Sequence, residues 1–234
     1  MEINVNPRKV AVAFLSVATT LAVINAILLF FYFYLDDDEL YGLIDFFDFD
    51  IEGNVPTLYS AVALLFCSSL LALITTANWR RPDGWRFHWL GLTILFFLLA
   101  IDEGTAIHEE VGTFLEDYLE ATGALYFLWV LPYGIATLVL GLTYLRFVLQ
   151  LPPDTRMRFV LAGVIFLSGA LGVEMLGAWE AGLHGTTTVT YCLLYSVEEM
   201  LEMLGVILFM YALLLHLGEV TGRFSLHLER PDRS

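Results

Sequence analysis

Residues 10–35 are VAVAFLSVATTLAVINAILLFFYFYL, an apolar run that contains no charged side chain. At about 1.5 Å per residue, a helix of this length reaches across the roughly 30 Å hydrocarbon core of a bilayer. The run is too long for the apolar core of a signal peptide, and we find no cleavage site of the Ala-x-Ala kind after it. It is therefore predicted to be a retained first transmembrane helix.

Further apolar runs of similar length follow along the chain. Of the 234 residues, 58% are apolar and 16% are charged, whereas about a quarter are charged in a typical soluble domain. The sequence predicts one transmembrane domain over 1–234, an all-α, polytopic integral membrane bundle of six helices. The predicted spans are 10–35, 56–77, 85–118, 124–149, 158–180 and 189–217.

The basic residues predict the orientation of this bundle. With six spans, all eleven Lys and Arg side chains lie on one side, and loops rich in these residues stay in the cytoplasm. Five or seven spans would divide them between the two sides. We therefore predict a multi-pass protein of the cell's inner membrane with both termini cytoplasmic (N-in/C-in). With a net charge of −15 and no basic patch, the chain is not expected to bind nucleic acid.

The opposite face is acidic and includes a loop over 36–55 that begins Asp36-Asp37-Asp38-Glu39. The apolar half of this loop suits a short segment that lies in the membrane interface. We interpret its charges as a solvated rim, with a cation-attracting surface as the alternative. In the inner membrane of a bacterium this acidic face is periplasmic.

Ionisable side chains within the predicted spans indicate where function lies, because a charge in hydrocarbon costs about 2.5 kcal/mol or more. These side chains belong to spans three, five and six, and they fall at similar depths toward the outer side. We predict that they converge on one polar pocket and that they are metal ligands. They are Asp102, Glu103, His108, Glu109, Glu174, Glu198, Glu199 and Glu202.

Helical periodicity sorts the candidates on span three. In a continuous helix with about 100° per residue, Asp102, His108 and Glu109 share one face with Thr105. Glu103 falls near the far side of the same helix. The phase therefore favours the first three as ligands and disfavours Glu103.

A divalent metal ion is one reason to gather so many carboxylates. Carboxylates with an imidazole suit iron, manganese, calcium, or zinc with mixed ligands. Glu199 and Glu202 form an i, i+3 pair, which is loosely similar to the Glu-x-x-His pairs of two-metal helical bundles. Two other interpretations remain open: a relay of protonatable carboxyls that moves protons or cations, and a polar core that fixes helix register.

The segment Ala100-Ile-Asp-Glu-Gly-Thr-Ala-Ile-His-Glu-Glu110 resembles a motif of uncharacterised bacterial multi-span membrane proteins. In these proteins a span ends in Asp-Glu, followed by four small or apolar residues and then His-Glu. The resemblance implies that Asp102, Glu103, His108 and Glu109 act as a unit, which keeps Glu103 among the candidates. It implies no activity.

These observations lead to three hypotheses about function. The first is a metal-dependent hydrolase or oxidase whose site in the outer half of the bilayer acts on a lipid or another hydrophobic substrate. The second is a non-catalytic subunit of a larger membrane complex. The third is a proton or cation transporter, which is ranked last because the sequence lacks the paired broken helices of inverted repeats. The sequence names neither the substrate, the metal nor a catalytic residue.

Overall fold

The computed structural model describes residues 5–34, 42–79 and 84–221. In this part of the chain the regular elements are helices, and no strand is present. A 3₁₀ turn, Gly123–Leu125, precedes α6, and a π-helical segment, Ser168–Val173, joins α7 to α8. The α-helices are α1 (Pro7–Tyr34), α2 (Leu43–Phe47), α3 (Val55–Asn78), α4 (Arg86–Thr105), α5 (Ile107–Glu116), α6 (Val130–Gln150), α7 (Pro153–Leu167), α8 (Glu174–His184) and α9 (Val189–Thr221).

Six helices in the described residues are long and apolar enough to cross a membrane. Five of them are α1, α3, α4, α6 and α9. The sixth is the continuous unit Pro153–His184, which consists of α7, the π-helical segment and α8. The prediction of an all-α chain with six such helices is therefore confirmed. The acidic run Asp36–Glu39 and the basic residues Arg80, Arg81, Arg223, Arg230 and Arg233 lie outside the described residues.

The third span differs from the prediction of one helix over 85–118. Helix α4 ends at Thr105, Ala106 has a left-handed φ of 53°, and α5 begins at Ile107. This conformation costs an L-residue about 1–2 kcal/mol. The Asp102 carboxylate helps to compensate, since its Oδ1 accepts a 2.9 Å hydrogen bond from the backbone N–H of His108 in the first turn of α5. The helical phase computed across this break consequently does not apply.

Ring contacts give the relative direction of α4 and α9. The Trp89 ring stacks on His216 with centroids 5.1 Å apart, and the Phe96 ring stacks on Phe209 with centroids 4.7 Å apart. The residue number rises along α4 while it falls along α9, so the two helices are antiparallel. The carboxyl end of α4 therefore lies beside the amino-terminal half of α9, where three of the candidate acids are found.

Asn54 joins the loop before α3 to the start of that helix. Its Oδ1 accepts hydrogen bonds from the backbone N–H and the hydroxyl of Thr57, and its Nδ2 donates to the carbonyls of Asp48 and Asp45. Asn is among the preferred residues at a helix N-cap because its side chain binds the otherwise unpaired N–H groups of the first turn. The loop that carries Asp50 and Glu52 is thus anchored to the bundle.

Replacing Asn54 with Ala is expected to lower the free energy of unfolding by about 1–2 kcal/mol, because the cap is lost. Asn54→Asp is the matched control, since it keeps the cap oxygen and loses only the amide donors to the loop. The aspartate variant should therefore lose less stability than the alanine variant. Thermal unfolding of both proteins in detergent measures this difference, and equal midpoints would contradict the capping role.

Candidate metal centre

Three side chains from two separate segments meet at the edge of the helical bundle. Ligand atoms of Glu52, His108 and Glu109 all lie within 4.8 Å of one another. Glu52 comes from the loop before α3, and His108 and Glu109 come from the first turn of α5. Two carboxylates and an imidazole at this separation form a set that suits a divalent cation.

His108 is held in place from several directions. Its Nδ1 lies 3.4 Å from Asp102 Oδ2, and its Nε2 lies 3.6 Å from Glu52 Oε1. The Trp129 ring packs edge-on against the imidazole with centroids 4.8 Å apart. Asp102 is in turn bound by the Tyr133 hydroxyl, which donates to Oδ1 at 3.0 Å. In metal sites a histidine usually has one ring nitrogen hydrogen-bonded to a carboxylate while the other binds the metal, and the contacts of His108 fit this arrangement.

Glu52 has one oxygen without a partner. Its Oε1 faces His108, whereas its Oε2 is buried from solvent and has no hydrogen-bond partner within the described chain. The loop itself is fixed just before this residue. Asn25 of α1 accepts a hydrogen bond from the backbone N–H of Phe49, and the Tyr191 hydroxyl of α9 donates to Asp50 at 2.7 Å. A buried, unpaired carboxylate oxygen on a fixed loop is costly unless a ligand completes it.

The electrostatics of the group reflect its burial and its negative neighbours. Burial raises the pKa of Glu52 to about 7; the charge of His108 opposes this shift, while Glu109 and Asp102 add to it. Burial lowers the pKa of His108, but its contact with Asp102 and the charges of Glu52 and Glu109 outweigh burial, so its pKa lies above the ordinary value. The surroundings therefore favour positive charge at this position.

The three side chains lie on the wall of a cavity of about 380 Å³. This volume is within the range of about 300–1,000 Å³ that is common for ligand pockets. All eight residues predicted from the sequence line the cavity: Asp102, Glu103, His108, Glu109, Glu174, Glu198, Glu199 and Glu202. Glu103 is included, although its phase in a continuous helix placed it near the far side. Their role as metal ligands remains a prediction.

The deeper acids of this cavity depend on an unusually close approach of two helices. Gly169, in the π-helical segment, faces α9 so closely that an added Cβ would lie 2.7 Å from the Glu198 carbonyl oxygen and 3.2 Å from Glu202 Cγ. Glu174 begins α8 directly after this segment. Short π-helical insertions in α-helices are frequent at functional sites because they redirect the side chains that follow.

Sequence reasoning missed Glu52. It lies within the loop whose charges were interpreted as a solvated rim, yet it contributes to the tightest group of potential ligands. The sequence did contain an indication, since Asn54 followed by Pro56 is typical of a helix start. Such a start places Glu52 at the outer ends of the helices, close to the end of span three.

Comparison with known proteins gives one family. The sequence profile of a family described as "Domain of unknown function (DUF8692)" matches residues 11–217. The chain belongs to the DUF8692 family. No curated protein and no solved structure matches it. This result agrees with the predicted resemblance to an uncharacterised family, whereas a family-wide Asp-Glu-x4-His-Glu motif and a bacterial origin remain predictions.

Proposed function

We propose that this DUF8692 protein is a membrane-embedded hydrolase that binds a divalent metal ion through Glu52, His108 and Glu109 and acts on a lipid or another hydrophobic substrate. The observation that carries the proposal is the convergence of ligand atoms from these three side chains, together with the buried Glu52 oxygen that has no partner within the described chain. This group refines the eight ligands predicted from sequence, because it retains two of them and adds Glu52.

The spacing of the group supports a metal ion. Two ligands at about 2.1 Å from a tetrahedral ion lie roughly 3.4 Å from each other. His108 Nε2 and Glu52 Oε1 are 3.6 Å apart. Two carboxylates and one imidazole form a harder ligand set than those of structural zinc sites, which favours manganese, iron or zinc.

The surrounding cavity suits hydrolysis. Glu52, His108 and Glu109 would hold the metal ion, which would supply Lewis-acid activation of a water molecule. The carboxylate of Asp50, which lines the same cavity, would be available to accept a proton. Oxidation at a redox metal in this position would require an external oxidant, and analysis of the products distinguishes it from hydrolysis.

The proposed orientation places the cavity toward the outer side of the membrane. The described basic side chains belong to the ends of the long helices that are remote from the cavity, and basic residues favour the cytoplasm. These residues are Arg8, Lys9, Arg86, Arg146, Arg156 and Arg158. The cavity is built from the opposite helix ends.

The transporter hypothesis has less support. A second cavity adjoins the first and extends toward the basic end, but most of its lining is Leu, Phe, Val, Ile, Ala and Gly. Such a lining offers few groups that could pass a proton or a cation. A role as an accessory subunit has no specific structural observation in its favour.

The metal is tested with the purified protein after treatment with a chelator, by titration with Mn²⁺, Fe²⁺ and Zn²⁺. One ion per chain is expected for the preferred metal. At about 100 times the dissociation constant the ion should stabilise the fold by about 2.7 kcal/mol, which is a rise of roughly 5–10 °C in melting temperature. Absence of both stoichiometric metal and stabilisation with every ion would refute the proposal.

Glu109 and Glu110 provide a matched pair of variants for this titration. Both are exposed acids in the first turn of α5, but only Glu109 belongs to the ligand group and lines the cavity. Glu109→Gln should weaken metal binding at least about tenfold, because a neutral amide replaces a carboxylate ligand, whereas Glu110→Gln should leave it within about twofold of the unmodified protein. Equal effects of the two substitutions would indicate a general effect of surface charge.

A further inference from the structure

The second cavity has a volume of about 610 Å³ and is largely apolar. It lies between α4, α6, α7 and α9, and one face of α6 lines its length from Tyr133 to Val148. At about 1.5 Å per residue this face extends roughly 22 Å, more than half of the roughly 30 Å hydrocarbon core. The space is therefore long enough for a lipid chain from one leaflet. We refer to it as the apolar groove.

Helix α6 contacts the rest of the bundle mainly at its two ends. Its buried residues are Val130 and Phe147, near the first and the last turn. Between them no residue of α6 is buried, and the face toward the groove includes the small residues Ala136 and Gly141. The middle of α6 therefore stands away from its neighbours and leaves the groove open.

The groove is accessible at its rim. Leu98 of α4 is 55% exposed and Val160 of α7 is 49% exposed, and both line it. Helix α4 and the continuous unit Pro153–His184, which contains α7, are long and apolar enough to cross a membrane, so the rim lies at the depth of the lipid chains. An amphiphile can enter sideways from the bilayer without passing through water.

The groove is continuous with the acidic cavity of the metal centre. Asp102, Tyr133 and Thr137 line both spaces, and the Tyr133 hydroxyl binds Asp102 at this junction. A ligand whose chain occupies the groove would therefore present its polar end to the Glu52, His108 and Glu109 group. An apolar channel that ends at a few polar groups is the common form of a site for an amphiphilic molecule.

The charges of the two spaces restrict the polar end of the ligand. Within the described residues no Lys or Arg lines either space, whereas the cavity carries many carboxylates. Phosphate groups are usually bound by Arg, Lys or free backbone N–H groups. An anionic phospholipid head would therefore be repelled, and an uncharged or cationic head would be accepted.

We infer that the apolar groove binds the hydrocarbon chain of a lipid with an uncharged or cationic head, and that the head lies at the junction with the metal centre. This inference names the substrate class of the proposed function and rests on it for catalysis. Binding of the chain depends on the shape of the groove alone and is measurable in metal-free protein.

The test uses chelator-treated protein in phosphatidylcholine nanodiscs with a long-chain monoacylglycerol that carries a photoreactive group midway along its chain. Crosslinks located by mass spectrometry are expected in the middle of α6 and α7, at groove residues such as Leu140 and Val160. The same photoreactive chain on phosphatidylglycerol should label these residues several-fold less. Labelling outside the groove, or preference for the anionic probe, would overturn the inference.

Glycines of α6 and α7 are the positions at which substitutions test whether the groove binds the chain. Gly141 and Gly163 line the groove, and an added Cβ at either position meets no atom within 4 Å. Gly141→Leu and Gly163→Leu should each fill the groove and reduce labelling at least about fivefold. Gly134→Leu is the control, since Gly134 is equally open on the same helix as Gly141 and lines neither space.

The outcome separates this inference from the metal proposal. Groove-specific labelling without metal binding would support the lipid site and refute the metal centre, and the reverse result would refute the lipid site alone. Equal labelling of the Gly141→Leu, Gly163→Leu and Gly134→Leu proteins would also refute the lipid site.

Discussion

Replacing Asp102 with Asn is expected to weaken metal binding by about 100-fold, because the carboxylate that orients the candidate ligand His108 is lost. Asp102 Oδ2 lies 3.4 Å from His108 Nδ1, and Oδ1 accepts hydrogen bonds from the His108 backbone and from Tyr133. An asparagine keeps one acceptor for the backbone of α5. It brings an NH₂ donor toward an imidazole nitrogen that must itself donate if Nε2 is to bind a metal. The ring would then adopt the other tautomer or rotate.

Metal titration of the Asp102→Asn protein measures this effect, and Tyr133→Phe is the matched control. The phenylalanine variant removes the 3.0 Å hydrogen bond to Oδ1 and leaves the carboxylate facing His108. It should lose no more than about tenfold in affinity. If the asparagine variant bound metal as tightly as the unmodified protein, His108 would not be a ligand oriented by Asp102.

The general position of the candidate site was predictable from the sequence for a physical reason. Charged groups are costly in hydrocarbon, so acids at similar depths in three spans are expected to share a polar space. Asp102, Glu174 and Glu202 do line one cavity. The number of long helices was equally predictable, because the thickness of the bilayer sets the length of an apolar run that crosses it.

The local geometry of the site was less predictable. The break at Ala106 requires a left-handed alanine, and a residue without strong preference for that conformation gives no warning of it. The break turns α5 so that His108 meets Glu52 of a distant loop. Periodicity within one helix cannot report such a contact, because it depends on tertiary packing. The position of Glu103 on the cavity wall likewise depends on tertiary packing.

The close packing of α7 against α9 underlies the second large effect. Gly205 of α9 lies against the backbone of α7, where an added Cβ would be 2.7 Å from the Phe166 nitrogen and 2.8 Å from its Cα. Small residues allow transmembrane helices to approach each other in this way. A flexible side chain can move aside, whereas a helix backbone can yield only by displacing the whole helix.

Gly205→Ala is therefore expected to lower the free energy of unfolding by about 3 kcal/mol. The substitution also separates α7 from α9 next to Glu202, so metal binding should weaken together with stability. Gly163→Ala is the control on α7, since its added Cβ meets no atom within 4 Å. Exchange of glycine for alanine in an open helical position changes stability by about 1 kcal/mol at most, in the favourable direction. Thermal unfolding of the two variants in the same detergent compares them, and equal midpoints would mean that α7 and α9 do not pack through Gly205.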